Sequence, residues 1–273
     1  MKNFISKTLI AALSSSLLFA TCKKDEVLPN NNTPEELASM SVEFDNIVGG
    51  QNLFLNTTNY TNAAGEQFNI SQLQYFVSNI KLHKTDGSYY TVNADSSYFL
   101  IKESDAATRY ARFKAPAGDY NQLSFVLGVD SLRSTMDISK RTGVLDPAGG
   151  HDGMYWGWNS GYIFFKMEGI SPVAPVDPTG QRKFRYHIGG FGGYSAPTLN
   201  NIKTITIDLT ASGIAQARKG RNSNIHLMVD VMKAFNGSTT LSIAANPSVM
   251  FSDYSVNIAN NYTSMFYHDH TEN

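Results

Sequence analysis

Cysteine is almost missing from this chain: Cys22 is the only one among 273 residues. A single thiol excludes an intrachain disulfide and any Cys-x-x-Cys motif. Charge is sparse too, at 16% of residues with a formal net of −1, and no Lys/Arg run or basic stripe occurs. That balance argues against electrostatic capture of nucleic acid. No His-x-x-Glu-His, P-loop or Gly-x-Ser-x-Gly signature is present, so nucleophilic hydrolase chemistry has no support. Acidic residues are scattered and argue neither for nor against a paired-carboxylate glycosidase. Strong helical periodicity and internal repeats are lacking. The apolar run TLIAALSSSLLFA is too short to span a bilayer comfortably. Tryptophan is limited to Trp156 and Trp158.

What is present begins with an export signal. Lys2 and Lys7 precede the short apolar run, which ends at Cys22. Phe19-Ala20-Thr21-Cys22 resembles a bacterial lipoprotein signal, in which the thiol takes a diacylglycerol. Lys23-Lys24-Asp25-Glu26 resembles the surface-export tag of Bacteroidetes lipoproteins. The expected organisation is a signal peptide over 1–21, a polar tether over 22–40 and one domain over 41–273. The expected address is the outer membrane, on its periplasmic or cell-surface face.

From Ser41 onward, period-two alternation of β-branched and aromatic residues dominates. Strands are expected over 41–48, 72–84, 97–102, 120–129, 161–169, 182–190, 202–209 and 224–232. Thr85-Asp86-Gly87-Ser88 reads as a hairpin turn. Short helices are expected within 131–140, 211–218 and 255–262. Many strands joined by irregular loops predict an all-β sandwich, mainly antiparallel, with a few short helices.

The segment 143–160 is a long, turn-rich connection, of the kind that is functional or disordered. Its aromatics argue against disorder. In HDGMYWGWNSGY, from His151 to Tyr162, both indoles stand among three glycines and a histidine. Packing explains such a cluster; so does an indole that acts as a functional group. Six histidines are available: His83, His151, His187, His226, His268 and His270. Imidazole suits copper, zinc, iron and nickel. Strand alternation puts Phe184, Tyr186 and Ile188 on one face and Lys183, Arg185 and His187 on the other. His226, among apolar neighbours, reads as a core histidine, and His268-Asp269-His270 as a terminal pair that either binds metal or frays.

Gly153-Met154-Tyr155-Trp156-Gly157-Trp158-Asn159-Ser160-Gly161-Tyr162 and the IFFKMEG that follows resemble the signature of the MbnP family. So do ISQLQYFVSNIKL, GDYNQLSFVLGVD, FRYHIGG and HLMVDVMKAFNG, in the expected order. The resemblance implies an exported copper-binding β-sandwich that is not itself an enzyme. It also implies a partner, MbnH, a di-haem protein related to cytochrome c peroxidases, which uses peroxide to oxidise a loop tryptophan to kynurenine. Carried over, Trp156 is the residue converted, with Trp158 the alternative. His151 and His187 supply imidazole ligands, and Met154 is a thioether contact or packing. Trp158, Tyr155 and Tyr162 are candidate redox relays. His83 and His268 stand outside the pattern.

A different class of function fits the same features. A surface lipoprotein with an aromatic loop suits glycan binding, with Trp156 and Trp158 as a platform for sugar rings.

Overall fold

The structure is a computed structural model that describes residues 36–158 and 161–273. The signal peptide, Cys22 and most of the tether lie outside the described residues. Among these, no helix is long and apolar enough to cross a membrane.

Two sheets pack face to face, as the alternation requires. The smaller sheet runs in the order Phe266–Glu272, Asn222–Asp230, Leu37–Val48, with Tyr110–Pro116 pairing the far edge of Leu37–Val48. Its central pair is parallel. The larger sheet runs Lys203–Asp208, Gly118–Leu127, Gln67–Lys84, Gly161–Ile170, Lys183–Gly189 and Ser248–Val249. Val42, Phe44, Leu227 and Val229 of the smaller sheet meet Tyr75, Phe125, Phe165 and Tyr186 of the larger in one apolar core. Phe44 stands edge-on to Tyr75, Phe125 and Phe266 at ring-centroid separations of 6.2, 5.6 and 6.3 Å, a geometry that aromatic quadrupoles favour. The chain is therefore an all-β sandwich with a few short helices.

Three differences from the sequence expectation have physical causes. The first strand begins at Leu37, not Ser41, because its leading residues pair with Lys114, Ala115 and Pro116. The 211–218 stretch holds a short strand, Ala215–Ala217, instead of a helix, since its backbone pairs with Gly118–Tyr120. The C-terminus does not fray: Phe266–Glu272 is a strand paired along Asn224–Val229. Helices do form at Ser131–Thr135 and Ser255–Asn261.

A second, smaller core lies on the outer side of the larger sheet. Phe76, Leu100, Tyr162 and Phe164 of its strands meet Leu145, Met154 and Trp156 of the connection above them. The long turn-rich segment is thus a packed cover on that face.

Candidate metal centre

The cover is locally determined. Asp152 and Gly153 both take positive φ, +48° and +74°. Glycine adopts this conformation freely and aspartate tolerates it. The two residues reverse the chain, and Met154 N–H closes the turn onto His151 C=O at 2.9 Å. The chain then enters a two-residue strand, Tyr155–Trp156, that pairs with Gly161–Tyr162.

Side chains clamp this turn to the sheet. Cα register sets His187, Lys166, Gln74 and Lys102 side by side on four adjacent strands. The Asp152 carboxylate takes Lys102 Nζ at 3.2 Å and Gln74 Nε2 at 3.3 Å. Lys166 Nζ donates to Gly153 C=O at 3.4 Å. The turn that carries His151 therefore rests on the row that ends in His187.

The indoles occupy opposite environments. Trp156 is only 5% exposed and Trp158 is 68% exposed, with ring centroids 5.4 Å apart. Trp156 lies flush on Gly189: a Cβ added there would stand 2.7 Å from Trp156 Cζ3 and 2.3 Å from Tyr162 C=O. Gly189 is two residues from His187 on one strand, so both point to the outer face. Phe251 closes over the indole edge-on at 6.2 Å. Met154 is fully buried in the second core, the packing role. Tyr155 and Tyr162 meet edge to face at 5.0 Å between ring centroids, and the Tyr155 ring lies 5.8 Å from the His151 ring.

The histidines differ in their partners. His187 Nε2 donates to Glu168 Oε1 at 2.7 Å, with the imidazole largely shielded. That hydrogen bond is the main reason the Glu168 carboxyl sits below its ordinary value; burial opposes it, and the charges on His187, Lys166 and Arg185 reinforce it. An imidazole anchored through one nitrogen to a carboxylate presents the other in a fixed direction. His151 Nδ1 is buried and has no hydrogen-bond partner among the described residues. An unpaired buried ring nitrogen is costly and needs an explanation.

Of the sequence-predicted residues, Trp156 packs on Gly189, two residues from His187 along one strand, and the turn that carries His151 is bonded to Lys166, the register partner of His187. Sequence reasoning missed Glu168 and Gly189. Glu168 lies two residues beyond Lys166 on the outer face, so alternation alone could have pointed to it. Gly189 is signalled only by the Gly189-Gly190 pair.

The MbnP family matches residues 38–251 of the chain. No curated protein matches it significantly. Among solved structures, MbnP from Methylosinus trichosporium superposes with a TM-score of 0.52 at 16% identity, over 80% of this chain and 82% of that one. At that identity the likeness concerns the fold. The family match spans most of the sandwich and includes the indole loop, Glu168 and His187, and on that ground the chain belongs to the MbnP family.

Proposed function

We propose that this is an exported copper-binding protein, anchored through Cys22, in which His151, His187 and an oxidised Trp156 supply the ligands. It acts as a binding protein and as the substrate of a di-haem partner, not as a catalyst. The observation that carries this is the unpartnered, buried Nδ1 of His151, on a turn fastened beside an imidazole already oriented by a carboxylate. Two imidazoles suit copper, and a bound copper ion would give the lone Nδ1 a partner.

An indole N–H has no lone pair to offer a metal, whereas an aryl amine has one. Oxidation of Trp156 breaks the indole C2–C3 bond and inserts two oxygens, supplied by peroxide that is reduced to water. Hydrolysis then releases formate and leaves the amine of kynurenine. Trp156 is covered, so the oxidant reaches it through Trp158, whose exposed ring lies tilted against it. Gly189 keeps the ring seated on the strand that carries His187 two residues away.

The test is copper titration of protein made with and without the di-haem partner, with mass spectrometry of the Trp156 peptide. Modified protein should show a mass gain of one oxygen less one carbon and bind copper far more tightly. His151→Ala and His187→Ala should each abolish the tighter copper binding. Equal binding by modified and unmodified protein would overturn the mechanism. The exposure of Trp158 also supports a glycan platform; loss of glycan binding in Trp158→Ala, with His151→Ala unaffected, would favour that function instead.

A further inference from the structure

The second histidine group lies on the opposite side of the molecule, on the outer face of the smaller sheet. His226 of Asn222–Asp230 pairs directly with His270 of Phe266–Glu272, and the next pair is Leu227 with His268. Asp269 is thereby skipped: it is the extra residue of a β-bulge. In an unbroken strand, Asp269 and His270 would point to opposite faces. A bulge re-aims side chains, and here it turns the Asp269 carboxylate onto the His270 face. His226 Nδ1 lies 3.2 Å and His270 Nδ1 2.8 Å from the same oxygen, Asp269 Oδ2. The two imidazoles are side by side at 4.8 Å between centroids. The bulge also separates His268 from His270. His268 pairs with core-facing Leu227 and hydrogen-bonds Thr271 at 2.9 Å, so the terminal His-x-His is not a ligand pair.

We propose that His226, Asp269 and His270 form a second metal site, for a late divalent transition ion such as zinc(II) or copper(II). Among the described residues this is the group of histidine and carboxylate side chains whose ligand atoms converge, all within 4.8 Å of one another. Donors bound at metal distance around a tetrahedral ion are separated by about 3.3 Å, so the observed spacings need only a small adjustment. Each imidazole aims its other nitrogen at a carboxylate: His226 Nε2 is 3.9 Å from Asp45 and His270 Nε2 is 3.8 Å from Glu272. These are ion-pair distances, beyond a hydrogen bond, and they place negative charge where it orients and strengthens histidine ligands. Two imidazoles and one carboxylate leave positions for water, and the face is open to solvent. Such a mixed set favours zinc(II) and copper(II) over magnesium or calcium. The site is independent of the indole loop. Asp269 and His270 lie beyond the residues that the family matches.

Zinc(II) titration of the His187→Ala protein tests the proposal with the loop site disabled. One equivalent should bind with micromolar affinity. Adding His226→Ala, His270→Ala or Asp269→Ala should weaken binding at least tenfold, while His268→Ala should leave it unchanged. Copper(II) spectra of the same protein should show nitrogen coupling that disappears with His226→Ala and His270→Ala. These side chains are partly exposed, and unchanged thermal melting would confirm that the variants fold. No binding by the His187→Ala protein, or binding indifferent to His226 and His270, would overturn the second site and leave the loop site untouched. Loss of copper binding only at the loop would do the reverse.

Discussion

The outer faces of the two sheets hold imidazole and carboxylate in opposite ways. On the larger sheet the segment from Gly143 to Trp158 lies over the strands and encloses a second apolar core, and His187 with Glu168 sits at its border. Among the described residues, nothing comparable covers the strands of the smaller sheet. Tyr110, Glu43, Asn224 and Ser41 form a hydrogen-bonded polar surface beside His226 and His270. The first face fixes its histidines by packing and, for His187, by a half-buried carboxylate bond; the second fixes them by a backbone irregularity. Packing yields a shielded, rigid site at a cost in accessibility. A bulge yields an open one whose ligands contribute little to folding.

The comparison is most exposed to changes beneath the cover. Trp156→Ala removes the largest ring of the second core, and a loss of about 3–5 kcal/mol in unfolding free energy is expected. Chemical denaturation measures it, and His226→Ala should lose under about 0.5 kcal/mol in the same assay. Similar losses for both would erase the distinction between a packed face and an open one. Gly189→Ala tests the seat of the indole. The new methyl would stand 2.3 Å from the Tyr162 carbonyl, a backbone atom with little room to yield. About 1–3 kcal/mol should be lost, and the Trp156 emission should shift to the red as the ring lifts into water. An unchanged spectrum would mean that the ring does not depend on this glycine.

Glu168→Gln sharpens the contrast from the polar side. Supporting carboxylates of this kind alter metal affinity by about 10- to 100-fold, so copper binding by the modified protein should weaken by that order. Fold stability should fall by only about 1 kcal/mol. The sign of its pH dependence is fixed. The Glu168 carboxyl is lowered from an ordinary 4.5, first by the His187 hydrogen bond. A lowered acid stabilises the fold fully above its unfolded value and loses that contribution as pH falls through the folded one. The stability gap between wild type and Glu168→Gln should therefore be full near neutrality and close below about pH 4.5. A gap that persisted in acid would mean that charge on Glu168 is not what stabilises the His187 border.

Much of this was legible in the chain before folding. Alternation in RKFRYHIGG placed Phe184, Tyr186 and Ile188 inward and His187 outward, and the structure agrees. The aromatics of 143–160 signalled an ordered connection, and its described residues, 143–158, pack Leu145, Met154 and Trp156 into the second core. Three things were not legible, and each depends on a neighbour distant in sequence. Glu168 meets His187 only because two strands pair antiparallel. Trp156 and Trp158 look equivalent until Gly189 and Phe251 close over one of them. The Asp269 bulge exists only relative to the register of Asn222–Asp230; the spacing of His268 and His270 alone does not show it.

The smallest structural effect carries the most specific information. Trp158 is mostly exposed and touches Trp156 along one edge of the cover. Its removal in Trp158→Ala should change stability by no more than about 0.5 kcal/mol. Copper binding by protein whose Trp156 is already modified should be unchanged. What should fall is the rate at which the di-haem partner modifies Trp156, because the covered ring loses its contact with the surface. Trp158→Phe keeps an aromatic contact but not an indole, and it should restore little of that rate if electron transfer requires the easily oxidised ring. Time-resolved mass spectrometry of the Trp156 peptide distinguishes these cases. A wild-type rate in Trp158→Ala would show that the oxidant reaches Trp156 by another route, and a wild-type rate in Trp158→Phe alone would reduce the role of Trp158 to shape.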